Sequence, residues 1–225
     1  MNSFTIMSKV QLLDIANLLR NDKWREADEQ TTIFILQQTR RSEKDWLRLE
    51  DIDRISCKYL SELNELWLIY SNGRFGFSVQ EKIYEEVKNN IISSSVQNEI
   101  RKLIAEYIYV ESFRPKVNVE FISKLHYYSG IKVDWIKKGM SSFNTELNYN
   151  EITYSLDAAP GHLHHGIWYY FAFQKSYIPL KILIKNWGIS GALPKYVYEL
   201  ESRFYTRIKI CCSQTSKSNQ LELFS

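Results

Sequence analysis

Three histidines crowd one short stretch, His162, His164 and His165, and imidazoles that close together invite a metal-binding reading. A zinc site needs four well-placed donors drawn from histidine, cysteine and carboxylate, and nothing in the neighbouring sequence completes such a set. Two groups of guanidinium side chains are better placed for chemistry. Arg203 and Arg207 stand one helical turn apart, and Arg40 and Arg41 open a stretch that also holds Lys44 and Arg48. Phe75 and Phe77 flank Gly76 in a segment too short and glycine-broken for a helix. Leaving either ring in water forfeits about 1.5–3 kcal/mol, so at least one is buried or binds something. In an extended segment side chains alternate, so only one of the two is expected to face a ligand. No nucleophile elbow, Walker loop or supported carboxylate pair is present, which points away from an enzyme. Glu26 and Asp28 lie near a helix start, where acidic groups suit the helix dipole, and their plainest role is structural.

The bulk of the chain sets limits on what these residues serve. With 225 residues, 44% of them hydrophobic, it can bury a real core. Its 29 basic and 26 acidic residues give a net charge of only +3. That balance does not suit nucleic-acid phosphates, which call for a concentrated basic face, so any bound anion is expected to be small. The cysteines are Cys57 and the adjacent pair Cys211 and Cys212. Neighbours in sequence bridge each other poorly, and the usage is read as that of a reducing compartment. No apolar run reaches the roughly 18–20 residues that cross a bilayer; the most apolar stretch, 167–173, is far shorter. The opening MNSFTIMSKV has neither an apolar signal core nor transit-peptide composition, so the chain is expected to be made where it works or to represent a mature form.

Elements that would position the candidate residues follow from periodicity. Val10, Leu13 and Ala16 recur at helical spacing over 10–20, and Trp24, Ala27, Thr31 and Phe34 continue the period over 24–38, after the short polar turn Arg20–Lys23. Leu60, Leu63, Trp67 and Tyr70 mark one apolar face of a helix over 58–71, stopped at Ser71-Asn72-Gly73. Ser78 and Glu81 resemble a capping box that opens a helix over 78–88 through Val79, Ile83 and Val87. Another helical stretch is expected over 96–109. The chain turns loop-rich after Gly130, and a last helix is expected over 196–210, after Pro194. Nothing alternates at strand period long enough to build a sheet, and there are no internal repeats. The expected fold class is all-α, one compact helical domain, with Trp24 and Trp67 in the same core.

Read as strings, Trp24-Arg25-Glu26-Ala27-Asp28-Glu29-Gln30-Thr31 and the run from Leu66 to Gln80, LWLIYSNGRFGFSVQ, resemble the signature of the genomes-uncoupled-four (GUN-four) family. Looser matches follow: Val133-Asp134-Trp135 resembles its Val-Gly-Trp, Tyr149 to Leu156 its tyrosine-led segment, and Gly161-His162-Leu163 its Gly-His-Leu-Pro. Ile136 stands where an arginine is common, and His164 replaces the proline. The resemblance implies a cupped helical protein, plastid-encoded or cyanobacterial, that binds porphyrin without transforming it. Its ligands would be protoporphyrin IX and magnesium protoporphyrin IX. Its partner would be the large porphyrin-binding subunit of magnesium chelatase, which it stimulates in chlorophyll biosynthesis. The implied location is the chloroplast stroma or the cyanobacterial cytoplasm, with contact to plastid membranes left open. The implied domain layout is an extension over 1–9, a core over 10–212 with a lengthened segment at 88–125, and a disordered tail over 213–225. The chain is also expected to lack the amino-terminal helical domain that some members carry.

A porphyrin is a flat apolar plate with two propionates on one edge, so its site calls for an apolar surface ending in arginines. Burying about 300 Å² of plate is worth roughly 7 kcal/mol before the cost of association, so charge-assisted bonds must supply much of the affinity. With the resemblance in hand, the propionate partners are expected at Arg203 and Arg207, then Arg40 and Arg41. The plate is expected on Leu60, Phe75, Phe77, Trp135, Met140 and Leu163. Leu60 and Trp135 serve equally well as plain core, and paired surface arginines are commonly just solvated. A ligand changed to a bilin or another tetrapyrrole, and a pigment-independent regulatory scaffold, stand as alternatives. No resident metal is expected, since metal-free porphyrin is bound as well.

Overall fold

Helical spacing of apolar residues is realised in the helices Trp24–Gln38 and Cys57–Tyr70, where spaced apolar residues are buried. The computed structural model describes residues 3–41, 47–93, 125, 128–136, 147, 149–164 and 192–213. Helix α1 spans Ser3–Arg20, α2 Trp24–Gln38, α3 Leu49–Asp53, α4 Cys57–Tyr70 and α5 Phe77–Ser93; a 3-10 turn covers Tyr149–Glu151, and α6 spans Ala192–Ser213. Among the described residues there is no strand, and the fold is all-α. Helix α1 packs on α2 and α4, and α6 lies across α3, α4 and α5. No described helix is long and apolar enough to cross a membrane. Met140, the helix expected over 96–109, most of the 88–125 segment and the tail after 213 lie outside the described residues.

Helix α2 buries Trp24, Ala27, Thr31 and Phe34, and α4 buries Leu60, Leu63 and Trp67, as their spacing requires. The Trp24 and Trp67 rings meet at 6.1 Å in one core. The face expected of α1 is corrected. Ser8, Leu12, Ile15, Ala16 and Leu19 are buried, whereas Val10 is 51% and Leu13 64% exposed. This helix is apolar on opposite sides, and period alone cannot say which side the core takes. Helix α4 ends as expected, with Asn72 and Gly73 both at positive φ and the Gly73 N–H bonded to the Leu68 carbonyl at 2.7 Å.

The capping box expected at Ser78 is also corrected. Helix α5 begins at Phe77, and the Ser78 N–H is taken by the Asn64 side-chain oxygen of α4 at 2.9 Å. Gly76 makes that approach feasible, because a Cβ there would stand 3.0 Å from Leu68 and 3.1 Å from Asn64. The N-terminal cap that does form is at α3, where the Arg48 N–H donates to the Asp51 carboxylate at 3.0 Å. Asp51 is fully buried and held by Arg48 at 2.7 Å and Arg41 at 3.4 Å. Those guanidinium bonds keep its carboxyl below the usual range although burial alone would raise it.

The adjacent cysteines do not bridge each other, but the free thiols expected of a reducing compartment are not what the fold holds. The fold sets Cys57, the first residue of α4, against Cys211 in the last turns of α6, and the two are joined by a disulfide with Cα atoms 4.7 Å apart. Cys212 stays outside the bond.

The two sides of α1 give a direct test. In urea denaturation Leu12→Ala is expected to lose about 2–5 kcal/mol, as a buried truncation, while Leu13→Ala changes stability by no more than about 0.5 kcal/mol. A larger loss for Leu13→Ala than for Leu12→Ala would place the core on the other face.

Candidate functional site

The strings that stand apart in sequence fold onto one another around Trp67. Its indole N–H donates to the Thr31 hydroxyl at 3.0 Å, and its ring meets Trp24 on one side and His164, at 4.2 Å, on another. Phe75 packs edge-on against Trp24 at 5.8 Å. Phe77 stacks on His164 at 4.2 Å and meets Phe204 of α6 edge-on at 5.2 Å. These contacts form a continuous aromatic wall from α2 through α4 and α5 to α6.

The loop segments 128–136 and 149–164 are tied to the back of this wall through backbone polar groups. The Gln80 side-chain amide donates to the carbonyls of Gly161 at 2.9 Å and Leu163 at 2.7 Å. Arg74 donates to the Ala158 carbonyl at 2.6 Å, and the Arg74 carbonyl accepts from Gly161 N–H at 2.8 Å. The Trp135 indole donates to the His162 carbonyl at 2.6 Å. Gly161 sits at φ +76°, where side chains are disfavoured, and a Cβ would press within 3.1 Å of both Ile83 and Val133. The tyrosine-led segment closes on α2, where the Tyr149 hydroxyl donates to buried Asp28 at 3.1 Å and Arg25 lies over the Tyr149 and Tyr154 rings. Burial, with the Asp28 charge next, raises the Tyr149 hydroxyl far above its ordinary pKa, so it stays a donor.

The structure brings the apolar candidates together, but inside the protein. Leu60, Phe75, Phe77 and Leu163 are at most 1% exposed and Trp135 6%. Phe75 and Phe77 are both buried, so neither faces outward as the alternation of an extended segment suggested: Phe77 already belongs to α5, and the chain turns between the two rings. The sequence assigns no role to Gln80 or Arg74, whose side chains bond the carbonyls of Gly161, Leu163 and Ala158. It suggests His164 only as a metal ligand, whereas the ring packs between Trp67 and Phe77. The position of Gln80 one turn into α5, within the recognised string, was the available signal.

The arginines already have protein partners. Arg203 Nε donates to Asp53 Oδ1 at 3.0 Å, and its terminal nitrogen donates to the other oxygen, a two-pronged pair half open to solvent. That bonding holds the Asp53 carboxyl below the usual carboxylate range. Arg207 donates to the Ile55 carbonyl at 2.7 Å. Both therefore tie α6 to the α3–α4 junction. Arg41 turns inward to Asp51, and Arg40 is exposed at φ +57°.

Two of the three histidines are described, and both are buried. His162 Nδ1 donates to the Val133 carbonyl at 2.6 Å and Nε2 accepts from the Thr153 N–H at 3.1 Å, which fixes its tautomer in a structural role. His164 is 0% exposed, sits at φ +79°, and neither ring nitrogen has a hydrogen-bond partner. Burial pushes its pKa down to about 3 and lowers that of His162 as well. Both rings are neutral when folded but take a proton near pH 6.5 when unfolded, so the unfolded chain binds more protons and stability falls as pH drops below about 6.5. For His164 the loss continues toward pH 3, and between pH 6.5 and 5 it amounts to about 2 kcal/mol. Urea midpoints at pH 7.5 and 5.0 check this. His164→Phe is expected to flatten the acid limb whatever its effect at pH 7.5, and an unchanged slope would show that His164 is not the group responsible.

Comparison with known proteins adds the final observation. The chain is 30% identical to the chloroplastic tetrapyrrole-binding protein of Arabidopsis thaliana over 102 residues, 44% of this chain and 38% of that one. It is 30% identical to the ycf53 protein of Cyanidium caldarium over 91 residues, 40% of this chain and 38% of the relative. It thus spans little more than a third of the length of these relatives. Among solved structures, Chlamydomonas reinhardtii GUN4 overlaps at a TM-score of 0.42 with 22% identity, covering 67% of this chain and 77% of that one. Ligand-free Arabidopsis thaliana GUN4 overlaps at 0.44 with 21% identity, covering 82% and 88%. The GUN4-like family model matches residues 7–174. Arg203 and Arg207 lie beyond that span, but it takes in the whole aromatic wall up to α5 and the loops tied behind it, and the chain belongs to the GUN4-like family.

Proposed function

We propose that this protein binds a tetrapyrrole without transforming it, taking protoporphyrin IX or magnesium protoporphyrin IX, and that it regulates magnesium chelatase through the chelatase's large porphyrin-binding subunit. The observation that carries this reading is the family match over residues 7–174, with its characteristic strings folded onto one wall. The name of the Arabidopsis relative supports the ligand class. The relatives' chloroplastic and cyanobacterial sources support a plastid stroma or a cyanobacterial cytoplasm.

In this proposal Leu60, Phe75, Phe77, Trp135 and Leu163 stiffen the surface against which the plate rests, with Met140 at its lip. Arg203 and Arg207, then Arg40 and Arg41, take the propionates. Arg203 must leave Asp53 to do so, and because that pair is half exposed, exchanging one carboxylate for another costs little. Commitment of Arg203 and Arg207 to Asp53 and Ile55 also favours a second reading, a regulatory scaffold that acts without pigment. A bilin in place of porphyrin needs the same two ingredients and is separated by titration.

Quenching of tryptophan fluorescence by deuteroporphyrin tests the ligand class and stoichiometry together. Saturable one-to-one quenching is expected; its absence with porphyrin and bilin alike, alongside pigment-independent capture of the chelatase subunit, would favour the scaffold. Arg203→Ala with Arg207→Ala is expected to weaken deuteroporphyrin binding by at least about tenfold, as loss of charged hydrogen bonds, and to affect a porphyrin lacking propionates far less. Asp53→Asn, which releases Arg203, is expected to tighten binding. Equal losses for both porphyrins would assign the arginines to structure and direct attention to Arg40 and Arg41.

A further inference from the structure

The bond between Cys57 and Cys211 closes a loop across 154 positions, which contains α4, α5, the loops behind the aromatic wall and most of α6. It sits at one end of a seam where α6 lies on α3, α4 and α5. Along that seam Leu200, Phe204 and Ile208 are fully buried at successive turns, and Phe204 covers Phe77. Other ties are weak individually: Arg203 to Asp53 and Lys209 to Glu85, both open to solvent, Arg207 to one carbonyl, and the Ser61 hydroxyl to the Cys211 carbonyl at 2.9 Å. The disulfide is the one covalent link between α4 and the carboxy-terminal half of α6 among the described residues.

We propose that Cys57–Cys211 is a thiol–disulfide switch, operated by an external dithiol, that sets how firmly α6 stays closed over Phe77 and His164. The two sulfurs differ in access. Cys211 is 2% exposed, while Cys57 is only half buried. A thiolate of the reductant attacks Cys57 Sγ; the disulfide bond breaks, and Cys211 leaves with the electron pair and takes a proton. The reductant's second thiol then attacks its own sulfur in the mixed disulfide and releases Cys57 as thiolate. That leaving group is stabilised by the amides at the start of α4. The protein's disulfide is reduced to two thiols and the dithiol is oxidised to its own disulfide, so a disulfide of the same class re-forms the bond. Cys212 does not compete in this exchange: burial pushes its pKa up to about 11, which leaves it a thiol near neutral pH.

Opening the bond frees the denatured chain and loosens the last turns of α6, while the apolar contacts of Leu200, Phe204 and Ile208 keep the helix docked most of the time. The reduced protein stays folded with α6 opening more often. This mechanism does not depend on the ligand proposed above. If α6 carries the propionate contacts as well, redox state also changes porphyrin affinity, and that readout alone rests on the proposed porphyrin ligand.

The test uses the whole chain, oxidised with a glutathione disulfide buffer or reduced with dithiothreitol. Thiol counting is expected to give one reactive thiol in the oxidised denatured protein and three after reduction. Reduction is expected to lower Tm by roughly 5–15 °C, from the stabilisation typical of a long-loop disulfide. It is also expected to speed amide exchange in the second half of α6 by tenfold or more, with α2 exchange changed only in proportion to global stability. Cys57→Ser with Cys211→Ser should reproduce the reduced state and ignore dithiothreitol; Cys212→Ser should keep the full response. Should the double variant fail to fold, comparison of oxidised and reduced Cys212→Ser decides the matter. Three thiols under oxidising conditions, or identical α6 exchange in both states, overturns the switch. Absence of porphyrin binding in both states, with the exchange difference intact, overturns the ligand proposal and leaves the switch standing.

Discussion

An indole N–H buried away from water must find an acceptor, or the fold loses about 1–3 kcal/mol at that one atom. Trp67 is fully buried, and its acceptor is the Thr31 hydroxyl. That single bond fixes the register of α2 against α4, because Thr31 lies two turns from Trp24 and so brings the second tryptophan against the first. The Trp67 carbonyl in turn accepts from the Ser71 hydroxyl at 2.6 Å, and Ser71 takes the Phe75 N–H at 2.8 Å. The end of α4, the turn after it and the placing of Phe75 against Trp24 thus descend from how one side chain is seated. Helix α5 then starts where Asn64 receives Ser78.

The loops behind the wall obey the same accounting. Buried carbonyls of Gly161, His162 and Leu163 would be left without donors if the chain merely collapsed there. Gln80 supplies two, Trp135 a third, and His162 returns one to Val133. Each donor comes from an element remote in sequence, so satisfying the loop is equivalent to placing it. His164 is the exception, with an imidazole surrounded by rings and no partner. It confers acid sensitivity at a position where an apolar residue would confer none.

What the sequence disclosed, and what it hid, follows from the range of the forces involved. Periodicity located α2, α4 and the core of α5 and α6 within a few residues because the buried face of each is a local pattern. It misjudged α1, whose opposite sides are alike in hydrophobicity. It placed the α5 start one residue late, because the competing acceptor is Asn64 in another helix. The Cys57–Cys211 pairing and the Arg203–Asp53 pair join residues 154 and 150 positions apart, and no local signal announces such partners. Recognition of the strings marked which segments matter, and their convergence around Trp67 is visible only in three dimensions. The residues expected to touch a ligand were identified by type, aromatic and arginine, and type alone does not distinguish a contact surface from the layer beneath it.

Because α6 is the final partner of α3, α4 and α5, the core they share is completed by residues translated long after those helices exist. Roughly 100 residues separate the end of α5 from the start of α6, which at about 5–20 residues per second leaves the nascent chain about 5–20 s with that flank unfinished. During synthesis Phe77 and Tyr84 lack the side chains of α6 that later cover them, and the contact order of the seam is high. Biogenesis therefore passes through a form in which Phe77 and Tyr84 still lack their α6 partners Phe204 and Tyr205.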